Sequence, residues 1–223
     1  MSHLLPLSLD LRRLAVAVAG SGPKALARVT MITDAGAIRP TVYAPGADTG
    51  FRAAVEALGA VPVDRLPDDD DLAALRLLFV ADIDPPVARA LHDRAEALKV
   101  LVNVEDVVPL CAAQVPSILR RGDLTIAVST AGASPSLAIA LKAELARLIG
   151  PEWAARTAAI RKLRMALRGR GLAPAAVKAA SDALIRDNGW LPLAAAPAPA
   201  RHDTDTASVD PVAAEDGPRR AKA

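Results

Sequence analysis

The chain has 223 residues, enough for one domain or two small ones with a sizeable core. Hydrophobic residues make up 52% of the chain and aromatic residues only 2%, so the core must be built from Ala, Val, Leu and Ile. The formal net charge of +2 is too near neutral to indicate nucleic acid or a membrane surface as a partner. No apolar run approaches the roughly 20 residues of a membrane span, and no secretory signal is evident.

Cysteine and histidine are sparse. The one cysteine, Cys111, excludes an intramolecular disulfide and fits a reducing cytoplasm, where we expect the protein to be located. The three histidines lie far apart in the sequence, and no His/Cys cluster has the spacing of a zinc site. The sequence therefore predicts no resident metal.

Strands and helices alternate through about residue 110. Strands are predicted at residues 14–19, 38–44, 75–81 and 100–104, and helices at 23–34, 51–58 and 86–98. This alternation predicts a parallel sheet covered by helices, with right-handed crossovers. The stretch "LPDDDD" (66–71) is interpreted as a solvated loop, whose acids are a surface feature rather than a metal site.

The regular alternation of strands and helices ends at about residue 110. Residues 115–130 contain two strand-like runs around "RRGD", which predict either a hairpin or two offset strands. A helix is predicted at 134–150, with Ser134 as its N-cap and Pro135 at its first position. Two more helices are predicted at about 151–168 and 174–188. From Ala194 onward the composition is typical of a disordered tail.

The first candidate site is "GSGPKA" (20–25), at the first strand-to-helix turn. It matches G-x-G-x-x-A, in which glycines let the backbone approach a pyrophosphate and the helix N-terminus favours the anion. The bare string is also compatible with a purely structural turn, and its place in a βαβ unit favours the nucleotide. Ala44 and Pro45 stand near the end of the second strand, where a ribose-binding acid is usual, so the choice between NAD and NADP stays open.

The second candidate site is the adjacent pair Glu105 and Asp106, which ends the strand "VLVNV" (100–104). Ligands of open parallel sheets bind outside the carboxyl ends of the strands, so one carboxylate can face a cleft. That carboxylate would act as an acid/base group or would help to deliver a divalent metal. The alternative is an ordinary turn or helix cap.

Two further regions favour anions. The small residues of "STAGASPS" (129–136) precede a capped helix. This segment is either an ordinary helix start or a site that binds carboxylates or phosphate. Residues 151–190 carry eight basic and three acidic side chains, a local net charge of +5. This is either a solvated helix face or a surface for a polyanion, and the lack of a groove-reading motif disfavours nucleic acid.

Several segments in this order resemble one known family. They are "LPLSLDLRRLAVAVAGSG", "AGAIRPTVYAP", "VNVEDVVPLCAAQVPSIL" and "GDLTIAVSTAGASPSLA". The chain over roughly residues 4–170 resembles the precorrin-2 dehydrogenase/sirohydrochlorin ferrochelatase family, the siroheme synthase module. The succession N-V-x-D, P-S-I and A-V-S-(S/T)-x-G-x-S-P is quite specific to it.

The resemblance implies an α/β fold in four parts. These are an NAD-binding Rossmann-type domain (1–112), a small α+β dimerisation segment (113–150), a C-terminal helical domain (151–193) and the disordered tail (194–223). It implies oxidation of precorrin-2 to sirohydrochlorin with NAD⁺, and then insertion of Fe²⁺, a substrate, to give siroheme. The partners it implies are the tetrapyrrole and a second copy of the chain, with no nucleic acid and no membrane.

The resemblance also assigns site residues. Asp106 matches the family's essential aspartate, expected to remove protons during catalysis and chelation, whereas Glu105 falls on a variable position and is expected to be a solvated neighbour. The expected cofactor-binding residues are Gly20, Ser21, Gly22, Pro23, Lys24, Ala44, Pro45 and Asp82. The expected substrate-binding residues are Ser129, Thr130, Gly132 and Ser134 of the small-residue loop and, from the basic stretch 151–190, Arg161 and Arg164.

The sequence departs from the family at two places near the expected dinucleotide. The family usually has Gly-Gly-Gly at the loop and Arg-Lys several residues on, where this chain has Gly-Ser-Gly and Ala27-Arg28. The family's "A-T-D-D" after the fourth strand is Ala81-Asp82-Ile83-Asp84 here. An enzyme without chelatase activity, or a nucleotide- or tetrapyrrole-binding module without catalysis, therefore stays open as an alternative.

Overall fold

The structure is a computed structural model that describes residues 4–191. The chain divides after Thr157 into two compact units, which are described separately. The tail predicted at 194–223 lies outside the described residues. No described helix has both the length and the apolarity that a membrane crossing needs.

A five-stranded sheet forms the centre of the first unit. Its strands are β1 (Val16–Ala19), β2 (Thr41–Tyr43), β3 (Val61–Val63), β4 (Leu77–Val80) and β5 (Leu101–Val104). They lie in the order β3-β2-β1-β4-β5, and every neighbouring pair is parallel. The predicted parallel sheet is confirmed, and its order matches the first five strands of the dinucleotide-binding order 3-2-1-4-5-6.

Four helices connect these strands: α1 (Pro23–Asp34), α2 (Thr49–Ala57), α3 (Asp69–Ala74) and α4 (Pro85–Ala97). Proline stands in the first turn of α1 and of α4, where its missing N–H costs nothing. Alternate strand residues pack into two separate cores: Val18 and Phe79 belong to one, Leu78 and Val102 to the other. Both faces of the sheet are therefore covered, which explains its continuous apolar strands.

Two elements of this unit differ from the sequence prediction. The acidic run was expected to be a loop, but α3 begins inside it, because Asp68 and Asp71 form a reciprocal capping box. The strand β3 was not expected, because it is only three residues long and contains Pro62. Proline is tolerated there because β3 is an edge strand of the sheet.

The rest of the first unit is a hairpin with a helix packed on it. Strands β6 (Ser117–Arg121) and β7 (Leu124–Val128) are antiparallel, so the hairpin alternative is the correct one. The helix α5 (Pro135–Leu148) begins as predicted, with the Ser134 hydroxyl accepting from the amide of Leu137 at 3.2 Å. The helix α6 (Trp153–Gly169) crosses the boundary between the units, and α7 (Pro174–Asp187) lies in the second.

Candidate functional site

The carboxyl ends of β1, β4 and β5 meet at one edge of the sheet, because these three strands are parallel neighbours. The glycine loop (20–24) follows β1, Asp82 follows β4, and the pair Glu105 and Asp106 follows β5. The connections change direction between β1 and β4, where a crevice forms in folds of this kind. Three stretches that were singled out from the sequence are thus placed together by strand order.

The two glycines of the loop are required by close packing. Gly20 has a φ of +129°, and a β-carbon there would lie 1.7 Å from the carbonyl oxygen of Ala81. A β-carbon on Gly22 would lie 2.5 Å from Oδ2 of Asp82. Both glycines therefore allow the segment after β4 to lie directly against the loop, so the G-x-G pattern has a structural reason in this chain besides any ligand.

Asp82 occupies the N-terminus of α1. Its Oδ2 accepts hydrogen bonds from the backbone amides of Lys24 at 2.8 Å and Ala25 at 2.9 Å. Asp82 itself has a φ of +54°, in the left-handed region that few residues other than glycine, asparagine and aspartate adopt. The loop has the open glycine backbone that a pyrophosphate needs, but two amides that would receive it are bonded to this carboxylate.

Asp106 forms an ion pair with the ammonium group of Lys24, which belongs to the glycine loop. This hydrogen bond raises the pKa of Lys24. The Asp106 side chain is 72% exposed and that of Lys24 is 55% exposed, so the pair is worth little energy and leaves the carboxylate accessible.

The backbone around Asp106 forms a tight turn. The amide of Val107 donates to the carbonyl of Val104 at 3.2 Å, and Asp106, the third residue of this turn, has a φ of +60°. Turns with a positive φ at that position favour Gly or Asn. The turn that the sequence left as an alternative is therefore present, and it presents an accessible carboxylate.

Glu105 was expected to be a solvated neighbour of Asp106, and this expectation is wrong. Nε of Arg28 donates to Oε2 of Glu105 at 2.7 Å, and the two side chains are only 21% and 20% exposed. The guanidinium also lies 5.9 Å from the centre of the Phe79 ring. Glu105 thus holds Arg28 against the sheet and is committed to a structural pair.

A cavity of about 360 Å³ lies beside these acids. Its lining includes Asp106 together with Ser129, Thr130 and Gly132, so three of the four expected small-loop residues line it. Ser134 is not in the lining and caps α5. The carboxyl edge of the sheet and the small-residue loop therefore form walls of the same cavity.

The hydroxyls of the small-residue loop shape the loop itself. The Thr130 hydroxyl accepts from the amide of Ser134 at 3.0 Å and donates to its carbonyl at 3.1 Å. The Ser129 hydroxyl accepts from the amide of Ala131 at 3.1 Å. The loop is thus held in a defined shape against the cavity by its own side chains.

Asn103 and Cys111 also line the cavity, although neither was predicted from the sequence to be a site residue. Asn103 is 7% exposed, and its Nδ2 donates to the carbonyl of Ala113 at 2.8 Å, which ties the segment after β5 to the sheet. Its Oδ1 is buried and has no hydrogen-bond partner among the described residues. A polar residue inside an otherwise apolar strand was the signal that could have found it.

The other expected site residues are more dispersed. Ala44 is buried directly after β2, and Pro45 next to it is exposed. Pro23 is the first residue of α1, and Ser21 lies in the turn before it. Arg161 and Arg164 lie on α6 in the second unit. The roles expected for these residues stay predictions.

Comparison with known families agrees with this arrangement. Residues 7–117 match a family of NAD(P)-binding domains, and residues 121–148 match the central domain of sirohaem biosynthesis proteins. The two matched segments follow one another in the chain. Together they include the glycine loop, Asp106 and the small-residue loop.

Relatives of known name are siroheme synthases. The chain is 31% identical to that of Acinetobacter baylyi over 148 residues, which are 66% of this chain and 32% of the relative. It is 37% identical to that of Pseudoalteromonas atlantica over 146 residues, 65% of this chain and 31% of the relative. The chain thus matches about a third of the length of these relatives.

Among solved structures, SirC, a precorrin-2 dehydrogenase, superposes with a TM-score of 0.67 at 22% identity, covering 83% of this chain and 91% of SirC. This likeness concerns the fold. The two matched family models and the siroheme synthase relatives show that the chain belongs to the precorrin-2 dehydrogenase/sirohydrochlorin ferrochelatase family, the siroheme synthase module.

Proposed function

We propose that this protein oxidises precorrin-2 to sirohydrochlorin with NAD⁺ and then inserts Fe²⁺ to give siroheme. One observation carries the proposal. Asp106, an accessible carboxylate, lies on the cavity beside the small-residue loop and is ion-paired with Lys24 of the glycine loop. The group that would take protons from the macrocycle therefore lies between the expected substrate loop and the expected dinucleotide loop.

The oxidation removes one hydride and one proton from the macrocycle. Bound NAD⁺ would supply the hydride acceptor, held near the glycine loop. The Asp106 carboxylate would take the proton from the ring carbon, because it is the accessible acid of the pair while Glu105 is engaged by Arg28. Lys24 would hold the carboxylate at the rim of the cavity until the macrocycle arrives.

Iron insertion also needs a group that accepts protons. Two pyrrole protons must leave the macrocycle when Fe²⁺ enters, and a carboxylate at the cavity can take them up in turn. We therefore assign the chelation step to Asp106 as well, with Fe²⁺ as a substrate. The basic side chains of the helical region, including Arg161 and Arg164, are proposed to bind carboxylates of the macrocycle, which carries eight of them.

The proposed active form is a homodimer. The cavity of about 360 Å³ is at the small end of ligand sites, which are roughly 300–1,000 Å³. A large macrocycle would fill it with one edge only and would extend beyond it. A second copy of the chain, docked on the hairpin and α5, would add a second wall to the site.

A two-stage assay tests the proposal. The purified protein is incubated with precorrin-2 and NAD⁺, and the absorbance of NADH and sirohydrochlorin is followed; Fe²⁺ or Co²⁺ is then added. Formation of both products supports the full proposal. NADH formation without metal insertion would restrict the function to dehydrogenation, and no NADH from folded protein would overturn the dehydrogenase assignment.

A second candidate function is a tetrapyrrole-binding module without dehydrogenase activity. The observation that favours it is the Asp82 carboxylate on the amides of Lys24 and Ala25, where a dinucleotide would bind. Sirohydrochlorin binding without turnover in the same assay would favour this alternative. Turnover at an ordinary enzymatic rate would exclude it.

A further inference from the structure

Asp82 was expected to bind the cofactor, but the proposed mechanism gives its carboxylate at the N-terminus of α1 no role. A helix N-terminus presents free amides and a partial positive charge, and in nucleotide-binding turns these receive a phosphate. Here a single oxygen, Oδ2 of Asp82, accepts from two of those amides, those of Lys24 and Ala25. A fixed anion of the chain therefore stands where the anion of the ligand would bind.

Both partners of this contact, the glycine loop and Asp82, have backbone features that permit it. The α-carbon of Gly22 is so close to Asp82 that a β-carbon there would lie 2.5 Å from Oδ2 and 2.7 Å from Cγ. The backbone of Asp82 is in the left-handed region, with a φ of +54°. The carboxylate therefore covers the glycine face that a pyrophosphate would approach, and a side-chain rotation or a backbone change at one residue would uncover it.

We propose that Asp82 is a residue that sets dinucleotide affinity: its carboxylate competes with the pyrophosphate for the N-terminus of α1 and must leave before a dinucleotide binds. The inference rests on the proposed use of NAD⁺. A carboxylate that stayed near the pyrophosphate would repel it, and one that left would give up two hydrogen bonds. Either way, binding is weaker than with an uncharged residue at this position.

The inference predicts the effect of two substitutions. In Asp82→Asn the charge is removed and the left-handed backbone is retained, because asparagine tolerates that conformation. In Asp82→Gly the amides of α1 are left open, and the backbone has no strain. We expect NAD⁺ to bind about tenfold more tightly to Asp82→Gly than to the unaltered protein, with Asp82→Asn between them.

The matched control is Asp84→Asn, which removes the same charge two residues along. Asp84 is the N-cap residue of α4, and its side chain makes no capping hydrogen bond. Its substitution should leave NAD⁺ affinity within about twofold of the unaltered protein, since exposed charges that do not contact the ligand contribute little. Equal gains in NAD⁺ affinity from Asp84→Asn and Asp82→Asn would overturn the inference. The effect would then come from the net charge of the protein and not from the contact of Asp82 with α1.

The measurement is calorimetric titration of the full chain and its variants with NAD⁺, NADP⁺ and inorganic pyrophosphate. Thermal unfolding with and without NAD⁺ is a second readout: the variants should be less stable alone and gain more from NAD⁺, because the ligand supplies the missing helix cap. Binding of pyrophosphate to Asp82→Gly but not to the unaltered protein would support the inference.

The outcomes separate the inference from the proposed function. Equal NAD⁺ affinity in the unaltered protein and in both Asp82 variants would overturn the inference and leave the proposed cofactor in place. If pyrophosphate bound Asp82→Gly while no protein bound either dinucleotide, the competition of Asp82 for the N-terminus of α1 would stand, whereas its role in dinucleotide affinity and the proposed NAD⁺ chemistry would fall. Absence of all binding in folded proteins would overturn both.

Discussion

Asp106 has a φ of +60°, so a substitution that tests its chemistry has to preserve a left-handed backbone. Asparagine does so, and it removes the basic carboxylate while it keeps the shape of the side chain. We predict that Asp106→Asn lowers the rate of NADH formation from precorrin-2 by about 100-fold or more, the usual contribution of a general base. Asp106→Ala would be a poorer probe, because alanine in this conformation adds strain.

The control for this prediction is Asp70→Asn, which removes an exposed carboxylate remote from the cavity lining. Circular dichroism and the unfolding temperature should be unchanged in both variants. A folded Asp106→Asn protein with an unaltered rate would show that Asp106 is not the base, and the turn would then be its whole role.

Cys111 lines the cavity, but its thiol is predicted to be unreactive. Burial raises the pKa of its thiol, and its Sγ donates to the carbonyl of Val104 at 3.2 Å. Because the thiolate is the reactive form, we expect iodoacetamide at neutral pH to modify Cys111 far more slowly in the native protein than in urea. Similar rates in the two states, measured by mass spectrometry, would contradict this prediction.

The sequence could predict that Asp106 lies at the sheet edge, but it could not show the state of its neighbour. Two adjacent acids after an apolar strand indicate a sheet edge, and the family motif selects Asp106 from the pair. The partner of Glu105 is Arg28, which is 77 residues earlier in the chain. Only the packing of α1 against β4, the neighbour of β5, brings that guanidinium to the strand end, so a local pattern could not show that Glu105 is paired.

At the scale of an element, the acidic run contains a helix start that depends on one ionised carboxylate. Asp71 accepts hydrogen bonds from Arg65 and from the amide of Asp68. The hydrogen bond with Arg65 is the largest cause that holds the pKa of Asp71 well below its ordinary value, and its side chain is only 20% exposed. The Asp71 contribution to stability is therefore complete above the unfolded-state pKa, about 3.9, and is lost as pH falls through the lower folded-state value.

We predict that Asp71→Asn lowers the free energy of unfolding by about 1 kcal/mol at neutral pH, because asparagine has no charge to pair with Arg65. The difference from the unaltered protein should shrink as pH falls below about 3.9, because the carboxylate is then protonated in the unfolded chain while it stays ionised in the folded protein. Urea titrations at several pH values would measure it. Asp70→Asn is the control from the same run and should be neutral, and equal losses from both variants would contradict the prediction.

The two elements that were not predicted from the sequence, α3 and β3, have weak local signals. Four consecutive aspartates indicate a solvated loop, yet reciprocal bonds between Asp68 and Asp71 are what begin α3. The strand β3 contains Pro62 in three residues, and proline argues against a strand. It forms because β2 offers a free edge, which is a property of the sheet and not of the segment. Longer elements such as α1 were predicted to the residue because their end signals are local.

At the scale of the whole molecule, the sheet order explains why distant motifs form one site. The glycine loop, Asp82 and Asp106 are up to 86 residues apart, from Gly20 to Asp106. They meet because β1, β4 and β5 are adjacent and parallel. Strand alternation in the sequence predicted a parallel sheet and hence this edge. It could not predict that Asp82 would cap α1, since that contact depends on how two loops pack at the edge.

The part of the first unit that lacks a sufficient core is the hairpin with α5. A two-stranded hairpin is marginal by itself, and α5 adds one buried residue, Ala138. Leu137, Leu141 and Leu148 follow the spacing of one helix face and are 50%, 44% and 76% exposed. A face of this kind is typical of an interface, and we propose a second copy of this chain as the partner.

We therefore predict that the protein is a dimer at micromolar concentration and that Leu141→Glu makes it monomeric, because a carboxylate at the centre of the apolar stripe would be buried without a partner. Ala143→Glu is the control, since residue 143 is exposed on the opposite side of α5. Sedimentation velocity would measure both. A dimer that survives Leu141→Glu and dissociates in Ala143→Glu would place the interface on the other face, and a monomeric unaltered protein would remove the proposed second wall of the site.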